Sequence, residues 1–165
     1  MTAAITLEEL LAWNEESSAF WKGHLEANPG LLELPCDIGG TKTVQEFVRH
    51  IWGVELVWGQ RVSGQPVIDR KEIPDGPLDV LFDLHVKAVE IYRGLLSDLG
   101  QDWSETQTLN APWLPPEGLT VSRRKIVGHA LIHSQRHWAQ LATLTRAAGF
   151  ATGFLGDLIF SSALG

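Results

Sequence analysis

Residues 121–148 hold three histidines at four-residue intervals, His129, His133 and His137, followed by Gln140. On an α-helix that spacing puts side chains on one face, about 6 Å apart along the axis. The apolar stripe of such a helix reads Ile126, Ala130, His133, His137, Leu141, Leu144. Two imidazoles therefore stand where a core-facing helix ordinarily carries aliphatic side chains. A buried imidazole needs a hydrogen bond or a metal to offset its lost hydration. A single histidine on an apolar face is ordinarily a hydrogen-bonded core residue. A pair one turn apart is half of a metal site.

Three further helices are expected before this one. Thr6-Leu7-Glu8-Glu9 has the form of a capping box, and Leu7, Leu10, Leu11, Ser18, Trp21 and Leu25 recur behind it at helical spacing. Asn28-Pro29-Gly30 should end that helix. Asn14 and Ser18 lie on or beside its inner stripe, as close-packing residues or as small polar groups lining a site. Residues 31–42 have no clear period and read as a loop over the bundle. Thr43-Val44-Gln45-Glu46 is a second capping box, followed by Phe47, His50, Ile51, Val54 and Trp58. His50 thus falls in the apolar stripe of a second helix, while Glu46 reads as a cap rather than a ligand.

Residues 60–76 form a long connection, with Asp75 expected to cap a third helix and Pro77 in its first turn. Leu78, Leu81, Phe82, His85, Val89, Tyr92, Leu96 and Leu99 give that helix its buried stripe, and Gly100 its stop. His85 is either a core histidine hydrogen-bonded to a neighbour or a group projecting toward the same cavity. On the second reading it is the candidate for proton transfer or substrate contact. Residues 102–120 contain Pro112, Pro115-Pro116 and Gly118, flanked by 106–109 and 119–121, so a short hairpin or extended arm is expected. Thr120 or Ser122 then caps the histidine-bearing helix, and Gly149 closes it. The apolar tail with Phe154, Leu155, Leu158, Ile159 and Phe160 should pack back on the bundle or on a second subunit.

At 165 residues the chain is expected to form one domain over 1–165 with a sizeable core. The net charge of −7 argues against a nucleic-acid partner, and the only basic run is Arg123-Arg124-Lys125, read as a solvated face at a helix start. Cys36, the single cysteine, excludes an internal disulfide and a cysteine zinc cluster. No apolar run is long enough to span a membrane and no leader pattern is evident, so a cytoplasmic protein is expected. The seven tryptophans allow a Trp-lined cavity.

Inward histidines on two helices make a three-imidazole site sterically reasonable: His50, His133 and His137. Imidazole suits zinc and equally nickel, copper and iron, so ligand type alone does not name the one divalent ion, for which zinc or nickel is expected; three protein ligands leave a position open for water or a thiol. Gln140, about a turn beyond His137, could orient that ring through its carbonyl or contact a substrate. His129 could do the same for His133, or simply lie near the bundle end; the second is the simpler role.

The order of one inward histidine on helix two, a long connection, then His-x-x-x-His-x-x-x-His-x-x-Gln on helix four resembles the DinB/YfiT-like superfamily, its DinB-like branch in particular. The resemblance spans nearly the whole chain. It implies an all-α four-helix bundle of up-down-down-up topology, with a divalent metal held by His50, His133 and His137. Many members end the motif in His-Arg-Gly-Gln, whereas this chain has His137-Trp138-Ala139-Gln140. The ligand and the glutamine are kept and the Arg-Gly pair is not.

The activities implied are thiol S-transfer with a low-molecular-weight thiol cosubstrate such as bacillithiol, mycothiol-dependent isomerisation, or metal-dependent hydrolysis of a small molecule. A homodimer is also implied. The contrasting expectation is a metal-organised ligand-binding or stress-response module without turnover.

Overall fold

The computed structural model describes residues 4–111, 114–154 and 156–164. The expectations for Pro112 and Leu155 fall outside them. Four long helices carry the fold: α1 (Leu7–Ala27), α2 (Val44–Ser63), α3 (Leu78–Ser97) and α4 (Arg123–Ala147). Two short strands, β1 (Thr106–Leu109) and β2 (Leu119–Ser122), pair antiparallel before α4, with Thr106 opposite Ser122 and Leu109 opposite Leu119. The expected hairpin is therefore present. Among the described residues no helix is long and apolar enough to cross a membrane.

The local signals act much as their chemistry requires. Glu9 N–H donates to Thr6 Oγ1 at 3.1 Å, and Thr6 N–H donates to the Glu9 carboxylate at 2.6 Å, completing the first capping box. The second box is displaced. Thr43 Oγ1 accepts from Glu46 N–H at 3.2 Å, but the Glu46 carboxylate takes the N–H of Lys42, at 2.7 Å, instead of that of Thr43. Ser122, rather than Thr120, caps α4 by accepting from Lys125 N–H. α2 runs on to Ser63 and ends at Gly64 in the left-handed conformation (φ +73°). Asp75 does not cap α3. Pro77 occupies the cap position, leaving Asp75 two residues outside, where its carboxylate accepts from Gln45 Nε2 at 3.1 Å.

α2 packs against both α3 and α4, and α1 against the same two helices. Trp21, Trp52 and Trp138 are fully buried where α1, α2 and α4 meet. Trp21 stacks on Trp138 with centroids 5.7 Å apart, and Trp52 meets Trp138 edge-on at the same distance. Three such rings each bury 150–250 Å² as a rough rule, which makes this cluster a large part of the apolar stabilisation. Trp52 Nε1 is satisfied by Ser18 Oγ at 3.2 Å, so the small polar residue on the α1 stripe serves the core. The tail folds back: Phe154 lies 5.0 Å from Phe20 and 5.3 Å from Trp21, and Ser161 donates to Glu16 at 2.6 Å.

Two glycines are set by close approach. Gly53 on α2 faces Ile73, whose side chain would lie 3.0 Å from an added Cβ; this lets the α2–α3 connection lie flat on α2. Arg49 holds it there, its Nε donating to the carbonyls of Ile73 and Pro74. Gly118, in the hairpin loop, has φ +78°, and a Cβ there would meet the Leu109 carbonyl at 2.8 Å. Gly118→Ala is therefore expected to cost about 1–3 kcal/mol, read as a lower urea midpoint.

Candidate metal centre

α4 presents His133 and His137 one turn apart, as the four-residue spacing requires. α2 presents His50 opposite them, one turn beyond the fully buried Phe47 and next to Ile51, and α2 and α4 pack together. The three rings converge. Their candidate ligand nitrogens all lie within 4.8 Å of one another, and His133 Nε2 is 3.0 Å from His137 Nε2. Ring centroids are 4.2 Å apart for His133–His137, 5.2 Å for His50–His137 and 5.4 Å for His50–His133. Three nitrogens bound to one ion at about 2.0–2.1 Å with tetrahedral angles would sit about 3.3 Å apart. The 3.0 Å separation and the 4.8 Å limit lie on either side of that value, so the donor set fits one divalent ion.

The hydrogen bonding points the same way. His137 Nδ1–H donates to Gln140 Oε1 at 2.6 Å, which fixes the tautomer and turns the Nε2 lone pair toward the cluster. With His137 Nε2 an acceptor, the proton between the two Nε2 atoms belongs to His133. His133 Nδ1 is then a bare, buried acceptor without a partner among the described residues. The shared proton must move from Nε2 to Nδ1 before His133 can ligate an ion through Nε2, and the ring stays neutral throughout. The edge of Phe47 covers the His137 ring at 5.1 Å.

The rings are neutral at physiological pH. Burial first, then repulsion from His137 and Arg70, holds His50 down to about 4. Burial, then the neighbouring histidines and Arg136, holds His133 down to about 3. His137 is lowered too, mainly by burial, with the Gln140 bond working in the opposite direction. In an unfolded chain an imidazole titrates near 6.5. Between those limits the unfolded chain binds more protons, so stability is complete above about pH 6.5 and is lost as pH falls toward the folded values. The metal-free protein is expected to show a lower urea midpoint at pH 5 than at pH 7.5. Equal midpoints would contradict this account.

His85 does not share this cluster. It is buried on α3, packed against Trp52 and Phe82, and its Nδ1 lies 2.7 Å from Glu55 Oε2. Glu55 leaves the axis of α2 roughly 140° round from His50, at about 100° per residue, and so faces the other way. The expectation that His85 projects toward the metal cavity is corrected; the core histidine bonded to a neighbour is the arrangement found. Glu55 went unread in the sequence. It is 1 % exposed and accepts from Asn14 Nδ2 at 2.8 Å as well as pairing with His85, while Tyr92 OH donates to its backbone carbonyl. Asn14 Oδ1 and Ser17 in turn meet Gln135, which lies between the two ligand histidines in sequence but on the α1-facing side of α4. The signal for Glu55 was an acid inside the apolar run Trp52-Gly53-Val54-Glu55-Leu56-Val57-Trp58.

Two hollows flank the triad. One is polar and is lined by His50 together with Glu46, Arg49, Arg70 and Asp75. The other is apolar, about 360 Å³, and reaches His129, whose ring lies 5.8 Å from that of His133 and edge-on to Trp58 at 5.5 Å.

Helices that bring three neutral imidazoles within reach of one cation define a helical protein with a candidate three-histidine metal site. The DinB superfamily matches the chain over residues 8–141, and the chain belongs to that superfamily. No curated protein sequence matches it.

Proposed function

We propose that the protein is a metal-dependent enzyme that transfers a small thiol to, or hydrolyses, a small electrophilic molecule. The observation that carries this reading is the convergence of His50, His133 and His137, all neutral, beside two hollows of different chemistry. Two hollows suit two substrates, which favours thiol transfer over hydrolysis. The packing of α1 and α2 each against α3 and α4 supports the up-down-down-up bundle as its frame.

His50, His133 and His137 would hold one divalent ion, with zinc or nickel suited to an all-imidazole donor set. When bound, such an ion lowers the pKa of water or a thiol and leaves a position open for it. Gln140 keeps the His137 proton on Nδ1 and its Nε2 free. Phe47 shields one ring from water and so keeps it neutral. The polar hollow, with two acids and two arginines, would receive the low-molecular-weight thiol cosubstrate. Ile159 and Phe160 on the tail are 85 % and 59 % exposed, and pairing of two tails into a homodimer would cover them; sedimentation equilibrium tests this. The protein would act in the cytoplasm.

Elemental analysis of purified protein, then incubation with low-molecular-weight thiols and monochlorobimane, tests the proposal. One metal per chain and metal-dependent conjugation are expected. Bound metal with no turnover across several thiols and simple esters would instead establish a binding module. That second reading is favoured by one feature: among the described residues the cluster has no carboxylate to serve as a base.

A further inference from the structure

The apolar hollow sits between the C-terminal half of α2, the 64–77 connection, the β1–β2 hairpin and the first turns of α4. Its walls include Val57, Trp58, Ile68, Leu119, Val121 and Ile126. At about 360 Å³ it lies at the small end of ordinary ligand pockets. Its charges are unusual for this chain. The sequence has 20 acidic residues against 13 basic ones, yet among the described residues Arg61, Arg70 and Lys125 line the hollow and no acid does.

Arg61 and Lys125 form no ion pair with an acid among the described residues. Arg61 is held over the Trp58 ring at 5.4 Å, and its Nε is buried without a hydrogen-bond partner. Cations of one sign beside low-dielectric walls focus a positive field into the hollow. Apolar walls alone would accept a neutral hydrocarbon equally well. The unmatched cations are what select a charge.

We propose that this hollow binds an apolar molecule carrying one anionic group, a compact aromatic or aliphatic carboxylate, as the electrophilic substrate of the neighbouring metal centre. The apolar body packs on Trp58, Leu119 and Ile126, and the anion meets Arg61 and Lys125. His129 connects the hollow to the triad: it lines the hollow, and its ring lies 5.8 Å from that of His133. The basic run read from the sequence as a solvated face thus contributes Lys125 to a binding site. The substrate role rests on the proposed metal centre; the binding specificity does not.

Titration calorimetry of the full chain with 2-naphthoate and with its neutral analogue 2-naphthalenemethanol tests the proposal, with and without added zinc. The acid is expected to bind at least tenfold more tightly than the alcohol. Lys125→Met should weaken the acid about fivefold and leave the alcohol unchanged. Leu119→Trp, at a partly exposed position of the hairpin, should fill the hollow and abolish binding of both. Equal affinity for acid and alcohol would overturn the anion selectivity, and undiminished binding by the Leu119→Trp protein would overturn the location. Repeating the titration with His133→Ala separates the two readings. If that protein takes up no metal yet keeps its preference for the acid, the hollow stands on its own. If wild-type protein takes up no metal but binds the acid, only the catalytic reading fails.

Discussion

Replacing His133 with alanine is expected to abolish stoichiometric metal binding while the helices remain folded. Three imidazoles would share the proposed ion, and His133 Nε2 sits 3.0 Å from its partner on His137. Zinc sites of four ligands bind with roughly 10–16 kcal/mol, or about 3 kcal/mol per ligand, so losing one should weaken binding by ~100-fold or more. The fold should not suffer in proportion. His133 brings a buried, unpartnered Nδ1 into the protein, and its loss removes that cost. Elemental analysis after dialysis, with urea unfolding of the metal-free protein alongside, measures both effects. A variant that keeps one metal per chain would show that the ion lies elsewhere.

Glu55→Ala should do the reverse: metal binding retained, stability sharply lowered. Glu55 joins α2 to α3 through His85 and to α1 through Asn14, all three side chains being buried. Its removal strands two donors in the core. Leaving buried hydrogen-bonding groups without partners costs about 1–3 kcal/mol each. That is a large share of the roughly 5–15 kcal/mol that keeps a domain folded. Glu55→Gln should recover part of the loss, since its amide oxygen can still accept one of the two bonds. Urea midpoints rank the three proteins. Loss of metal from a variant of unchanged midpoint would instead tie Glu55 to the metal centre.

These two variants separate what α2 does on its two sides. His50 faces α4 and the candidate metal centre; Glu55 faces α1 and α3 and sets how the helices stand against one another. The chain from His85 through Glu55 and Asn14 to Gln135 ends on α4, on the side away from its paired histidines. A rotation of α4 that broke it would also swing His133 and His137 away from His50. The buried network thus links side chains of all four helices and touches none of the three rings.

Much of this was legible residue by residue. Thr6 with Glu9, the breaker at Asn28-Pro29-Gly30, Ser122 before α4 and the strands around Gly118 mark element ends through bonds within a few residues of each other. The facing of His133 and His137 and the bond from His137 to Gln140 are equally local, because helical pitch alone sets them. Asp75 failed as a cap for a local reason too, since Pro77 took the position first.

What the chain could not declare is which buried face meets which. The 3.6-residue period places His50 and His85 alike on inner stripes, and nothing in it distinguishes a ring that meets other imidazoles from one that meets a carboxylate. Packing decided that: α2 turned His50 to α4 and Glu55 toward α3, so only one of the two inward histidines reached the triad. The apolar hollow is likewise assembled from a helix end, a connection and a hairpin distant in sequence, and Arg61 and Lys125 acquire meaning only once they share a wall. Local spacing determines where a side chain points along its own element; free energy shared among all the elements determines what stands opposite.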